Sequence, residues 1–262
     1  MMRALYTAAA GMAAQQFNID TISNNIANVN TNGFRANQAR FQDLIYQQLH
    51  AAGTPVGSSV VPVAQEVGLG VKVSSSAKIF TQGTIQQTNN PLDAAIEGDG
   101  FFQVTKPDGT IAYTRDGSFS QNANGSIVTS DGYFLNPQIT VPAGALQVGI
   151  NPDGSVTAML PGATAPQTLG QIQLARFTNN AGLSPQGQNL FAQTGASGSP
   201  VVSQPGINGA GTLQGGYVEG SNVSIVDQMV AMITAQRAFE ANSKAVTTAD
   251  QMLQTAVNTK SP

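Results

Sequence analysis

A seven-residue apolar repeat at each end of the chain, with β-like sequence between the two, constrains the fold more than any other feature. Near the start, Leu5, Met12, Ile19 and Ile26 fall seven residues apart, with Ala8, Gln15, Ile22 and Val29 at the companion positions. Near the finish, Ile225, Met232, Phe239, Val246 and Leu253 keep the same interval, with Met229, Gln236, Ser243, Asp250 and Val257 as companions. A sustained apolar period of about 3.5 residues draws a narrow stripe that suits a facing helix better than a broad globular core. The pattern therefore predicts helices over residues 3–29 and 225–257, each needing a helical partner.

Between the helices the period changes. Asn30-Thr31-Asn32-Gly33 tolerates the left-handed backbone that closes a helix or forms a tight turn. Phe34, Phe41, Leu44, Ile45 and Leu49 then suggest a second, shorter amphipathic segment. Residues 51–62 turn to Gly, Pro, Ser, Thr and Val without helical period, as a connector or extended arm would. Beyond Gly68 a period of two appears at Val71, Val73, Ser75, Ala77 and Ile79. Turn signals recur at Asp108-Gly109, Asn124-Gly125, Asp131-Gly132 and Asp153-Gly154, separating short runs such as Phe101 to Val104 and Ile139 to Val141. Ser224 and Asp227 supply the capping chemistry for the last helix. The reading is an α+β fold. Residues 1–34 and 223–262 form a discontinuous helical domain paired as in a coiled coil, 35–67 a connector, and 68–222 a mainly antiparallel β domain.

Composition narrows the function classes. Charged residues make up only 10% of the 262, against the usual quarter or so, so the surface feels little self-repulsion and suits dense packing against copies of itself. Net charge is −3 and only 11 Lys and Arg are spread along the chain, which argues against nucleic acid, whose phosphates need clustered cations. With no Cys there is no disulfide framework, thiolate metal site or cysteine nucleophile. No run of about 18 strongly apolar residues offers a membrane span. Arg3 before an Ala-rich run mimics a signal peptide, but the heptad continues past any plausible cleavage point.

The search for chemistry returns little. Asp93, Glu97 and Asp99 are the nearest thing to a carboxylate cluster, and read as exposed turn residues. They are the sole feature favouring an exported cell-wall hydrolase. His50 is the only histidine and reads as a solvated loop residue. The glycine-rich run Gly206 to Gly216 lacks the lysine of a phosphate loop. No catalytic, cofactor-binding or metal residue is predicted. The candidate site is an assembly interface: Leu5, Met12, Ile19, Ile22, Ile26 and Val29 at one end, and Ile225, Met229, Met232, Phe239, Val246 and Leu253 at the other.

One long motif is specific. Ser23-Asn24-Asn25-Ile26-Ala27-Asn28-Val29-Asn30-Thr31-Asn32-Gly33-Phe34 resembles the signature of the bacterial flagellar axial proteins of rod and hook, with Asn24, Asn25, Asn28, Asn30, Thr31, Gly33 and Phe34 carrying the likeness. Gly216 to Val223 leading into Gln236-Arg237-Ala238-Phe239-Glu240-Ala241-Asn242 is similar to that family's closing helix. Ile96 to Val104 and Tyr113 to Phe119 resemble its β domain.

The resemblance implies a helical polymer whose terminal helices form the axial inner core and whose β domain lies outside. Chain length, residues 46–65 and Asn189-Leu190-Phe191 point to the distal part of the rod, with a proximal rod subunit of similar length or another hook-like axial subunit as the alternative. The partners implied are further copies, proximal rod proteins, the hook protein at the distal end, the P- and L-ring proteins, the rod cap and the flagellar export apparatus. No cofactor is implied. The implied location is the basal-body rod crossing the periplasm, reached without a cleaved signal.

Overall fold

The computed structural model describes residues 2–53, 55–56, 59–60 and 62–258. The chain divides into two units: Met1–Ile26, Asn37–Ala77 and Ser224–Pro262 form the first, and Ala27–Ala36 with Lys78–Val223 the second. These divisions fall elsewhere than the sequence boundaries at 34, 67 and 222. Residues 37–67 group with the helices, and residues 27–36 group with the β unit.

In the first unit, helix α1 spans Met2–Ala27 and helix α2 spans Ile225–Asn258. At about 1.5 Å per residue α2 is roughly 50 Å long. Its start follows from Ser224, whose Oγ accepts the N–H of Asp227 at 3.4 Å, while the Asp227 carboxylate sits in the positive first turn. Its interior contains no Gly or Pro, which would cost about 1 and 3 kcal/mol there.

The second amphipathic segment is not helical. Asn37–Asp43 is a strand paired with Val71–Lys78, and Tyr46–His50 pairs antiparallel with Gln65–Gly68. Phe41, Ile45 and Leu49 are all exposed on these strands. The extended chain instead satisfies its backbone groups on the two neighbouring strands. His50 closes the second strand rather than lying in a loop, and is solvent-exposed. The arm read over 51–62 falls partly outside the described residues.

The second unit is built on a nine-stranded sheet with antiparallel pairing at each of its registers. Its central strand, Phe101–Thr105, pairs with Ile111–Thr114, Phe134–Asn136 and Leu174–Arg176. The turn signals fall where the hairpins are: Gly109, Gly125, Gly132 and Gly154 all have φ between 80° and 86°, the left-handed region that glycine enters without steric penalty.

Side chains alternate across a strand, so Phe101 and Phe102 seed separate cores. Phe102 packs with Phe119, Ile96, Ile127, Leu135, Leu174 and Leu213, and Phe101 with Tyr113, Phe177, Leu183 and Phe191. Ile139 and Val141 are buried in the first of these, although the run read there as a strand makes only the isolated Ser126–Thr140 bridge.

Candidate assembly site

Within the first unit the two helices meet at identifiable points. The Asn25 amide donates to Oε1 of Gln228 at 3.1 Å. Two heptads earlier on α1, a Cβ added at Gly11 would lie 2.9 Å from the Asn242 amide nitrogen. Residues 11 and 25 lie as far apart as 228 and 242 and pair in reverse order, so the helices run antiparallel with one register held at both points. Ala8, Ala14 and Ile22 are buried on α1, and Ala235 and Ala249 on α2.

The predicted stripes map onto this seam unevenly. Leu5, Met12, Ile19 and Ile26 are half-buried and Ile22 is buried. Val29 lies beyond the end of α1, in the turn that follows. On α2, Met232, Phe239, Val246 and Leu253 are half-buried, whereas Ile225 and Met229 are exposed. Gln236, Asp250 and Val257 are exposed as well.

The covered companion positions on α2 are instead Gln228, Ala235, Asn242 and Ala249. They fall three residues after one repeat position and four before the next, where the sequence reading had placed them four after. These positions carry two amides and two alanines, and the amides of Gln228 and Asn242 stand at the two points where the helices meet.

Asn25 shows what the signature amides do. Its Oδ1 accepts the Asn37 N–H at 2.8 Å and its Nδ2 donates to the Asn37 carbonyl at 2.8 Å, so this buried side chain imitates a strand partner. Asn24 is exposed on α1.

The remaining signature residues belong to the second unit, as a loop bonded to the β structure. Thr31 N–H donates to the Asn28 carbonyl, and Phe34 N–H to the Thr31 carbonyl. Asn32 donates to Ser118 Oγ at 3.2 Å and accepts from Asn189 at 2.9 Å. Gly33 is required twice over: its φ is 67°, and a Cβ would lie 2.5 Å from the Asp116 nitrogen. Its N–H donates to the Glu219 carbonyl at 2.8 Å. The Lys78 ammonium stands 5.1 Å from the Phe34 ring centroid. Asn30 is exposed.

The sequence reading missed the charged centre of this unit. The Glu219 side chain is fully buried; its Oε1 accepts from Arg35 Nη2 at 2.7 Å and from the Gly83 N–H at 2.8 Å, and its Oε2 accepts from Arg115 Nη1 at 3.3 Å. Arg115 also donates to the Ile96 and Gly98 carbonyls. Burial pushes the Arg115 guanidinium down to about 10 while Glu219 pulls it back up, so it stays charged at neutral pH. Residues far apart in the chain thus close on one carboxylate. A visible signal was a lone Glu ending a strand in a chain so poor in charge.

The other polar candidates serve local structure. Asp93 is buried rather than exposed, and its carboxylate accepts from Thr88 at 2.6 Å and Asn90 at 2.8 Å. Glu97 is exposed and accepts from Gln214, and Asp99 is exposed. Among the described residues no group of three or more His, Cys, Asp or Glu side chains could hold a metal ion, and no helix is long and apolar enough to cross a membrane.

In chain order, a terminal helix, an amide-rich signature loop, a β unit and a second terminal helix are the elements of the flagellar rod and hook class. Three family models match: a flagella basal body rod protein model over residues 5–35, the flagellar hook protein FlgE/F/G D1 domain over 95–158, and the flagellar basal body rod FlgEFG protein C-terminal model over 214–259.

The chain is 50% identical over 263 residues to the flagellar basal-body rod protein FlgG of Borreliella burgdorferi, covering 99% of each chain. It is 51% identical over 255 residues to that of Caulobacter vibrioides, covering 97% of each. It is 47% identical over 255 residues to that of Buchnera aphidicola from Acyrthosiphon pisum, covering 97% of this chain and 98% of the relative. The chain belongs to the FlgG family of flagellar basal-body rod proteins, structural subunits of the distal rod.

Proposed function

We propose that this chain polymerises helically into a rigid, hollow drive shaft that transmits torque from motor to hook and encloses the export channel. The observation that carries the reading is the seam between α1 and α2, held in one register over two heptads. Its coiled-coil-like pairing makes the two ends a single axial element, with Leu5, Met12, Ile19, Ile22, Ile26, Met232, Phe239, Val246 and Leu253 as its apolar content. The partners are further copies, proximal rod proteins, the hook protein, the P- and L-ring proteins around the rod, the rod cap and the export apparatus. The location is the rod across the periplasm, reached without a cleaved signal peptide. The role is structural rather than catalytic. Residues 46–65 act as a wedge that stiffens contacts between neighbouring copies.

Electron microscopy of the purified chain under polymerising conditions tests this. Straight, hollow rods are expected. Persistent monomers, or muralytic activity lost on combined substitution of Asp93, Glu97 and Asp99, would overturn it.

A further inference from the structure

Three Asn-Gly pairs occur in the chain: Asn32-Gly33, Asn124-Gly125 and Asn208-Gly209. In this dipeptide the peptide nitrogen of the glycine can attack the preceding side-chain amide, because glycine has no side chain to block the approach. The attack needs a free N–H, since a hydrogen bond made by that proton has to break before a base can remove it. The fold treats the three pairs differently.

Two of them are locked. The Gly33 N–H donates to the Glu219 carbonyl at 2.8 Å, and the Asn32 amide donates to Ser118 Oγ at 3.2 Å. Gly125 is the last residue of its turn, so its N–H makes the closing bond to the Asn122 carbonyl at 2.9 Å, and the residue is buried. At the third pair the turn is shifted by one residue. Asn208 and Gly209 are its two central residues, with φ of 54° and 74°, and the closing bond runs from the Ala210 N–H to the Ile207 carbonyl at 3.0 Å. The second central N–H takes no part in that bond. Among the described residues nothing accepts the Gly209 N–H or engages the Asn208 side chain, and both residues are exposed.

A cation stands at this same peptide group. Arg176 Nη1 donates to the Asn208 carbonyl oxygen, and a Cβ added at Gly209 would lie 2.9 Å from that nitrogen. When the Gly209 nitrogen loses its proton, the negative charge is shared with the Asn208 carbonyl oxygen across the peptide bond. A guanidinium bonded to that oxygen stabilises the charge as it forms. We propose that Asn208 is a self-modifying site, at which Arg176 activates the Gly209 nitrogen for attack on the Asn208 side chain.

A base takes the proton from the Gly209 nitrogen, that nitrogen bonds to Asn208 Cγ, and the Cγ–Nδ2 bond breaks. Nδ2 takes up a proton from water and leaves as ammonia. Water then opens the cyclic imide at either carbonyl, giving aspartate or isoaspartate. Both products add a negative charge beside Arg176. Isoaspartate also adds a methylene to the main chain of a turn whose last residue, Ala210, is buried in the core with Phe102 and Leu213. The reaction needs only the folded β unit and is independent of rod formation.

The purified chain is incubated at mildly alkaline pH, digested with trypsin and read by mass spectrometry, with isoaspartate counted by enzymatic methylation. Cleavage after Arg35, Arg115, Arg176 and Arg237 puts the three pairs on separate peptides. In the folded chain Asn208 should exchange its amide for a carboxyl about tenfold faster than Asn32 or Asn124. In urea, where only the shared dipeptide matters, the three should react at similar rates. Arg176→Gln should slow Asn208 by about tenfold in the folded chain and leave it unchanged in urea, while Arg176→Lys, which keeps the charge, should restore part of the rate. An Asn208 no faster than the other two in the folded chain would overturn the proposal, as would a folded Arg176→Gln chain that reacts at the unmodified rate. The comparison among the three sites needs no variant, so it decides the matter even where Arg176→Gln fails to fold.

Discussion

The two units bury their side chains in different ways. The β unit has cores of Phe, Ile and Leu closed on both faces of its central strand, and a carboxylate gripped by two guanidinium groups. The helical unit closes on alanines, a glycine and paired amides, while Tyr6, Ile225, Val226, Met229, Val230 and Ile233 face water. Burying apolar area is the main source of folding stability. The β unit therefore closes its cores within one chain, although Leu146, Val201 and Ile207 at its surface stay exposed. The helical unit holds part of its apolar surface back, and the free energy of covering that surface remains available for assembly.

The largest expected effect is on the complete unit. Glu219→Ala would leave Arg35 and Arg115 buried side by side without their carboxylate, and would free the Gly83 N–H. Removing one partner from a buried ion pair costs about 3–5 kcal/mol. Urea unfolding followed by β-type circular dichroism should show a loss of that order. A loss below about 1 kcal/mol would mean that the triad does not close this unit. The comparison also sets the boundary: a fragment covering 68–222 lacks Arg35 and the Gly33 contact, and should be less stable than one that includes residues 27–36.

The next effect is on the open unit. Phe239 is half-buried on α2, so Phe239→Asp removes part of an aromatic side chain's packing, about 2–3 kcal/mol after discounting the full-burial figure, and puts a carboxylate in its place. Rod assembly and motility should be lost while the melting of the β unit stays within about 0.5 kcal/mol of the unmodified chain. Unimpaired rods would show that the seam does not carry assembly. A collapsed β unit would show that the division into complete and open units is wrong.

Much of this contrast was legible in the residues, and its limits have physical causes. Apolar periodicity located both helices, and Asp-Gly and Asn-Gly pairs located the hairpins, because 3.6- and two-residue periods and positive φ are local properties. The strands at 37–50 were not legible: Phe41, Ile45 and Leu49 have helix-like spacing, and their pairing depends on strands many residues away. On α2 the covered companions in a single chain are Gln228, Ala235, Asn242 and Ala249 rather than Met229, Gln236, Ser243, Asp250 and Val257, because seven-residue spacing alone does not say whether the companion lies three or four residues after the repeat position. The Arg35–Glu219–Arg115 cluster was only half legible, for a third reason: a lone Glu can be noticed in the sequence, but its distant partners cannot be assigned without the fold.

The smallest expected effect concerns the rim of the β unit, where two hairpin turns share one device. Asp108 accepts from the Thr110 N–H and hydroxyl, and Asp153 from the Ser155 N–H and hydroxyl. Side-chain and then backbone hydrogen bonds hold both carboxyls below their ordinary value of 3.8. A carboxyl with a lowered folded pKa adds stability that is complete above the unfolded value and is lost as pH falls through the folded one. The β unit should therefore weaken slightly as pH drops below about 4, and Asp108→Asn with Asp153→Asn, which keeps the turn-closing oxygen but removes the titration, should flatten that part of the acid limb. Both carboxylates are solvent-exposed, so the change should be far smaller than that at Glu219. An acid limb unaltered by the pair would show that neither turn carboxylate contributes to the low-pH loss.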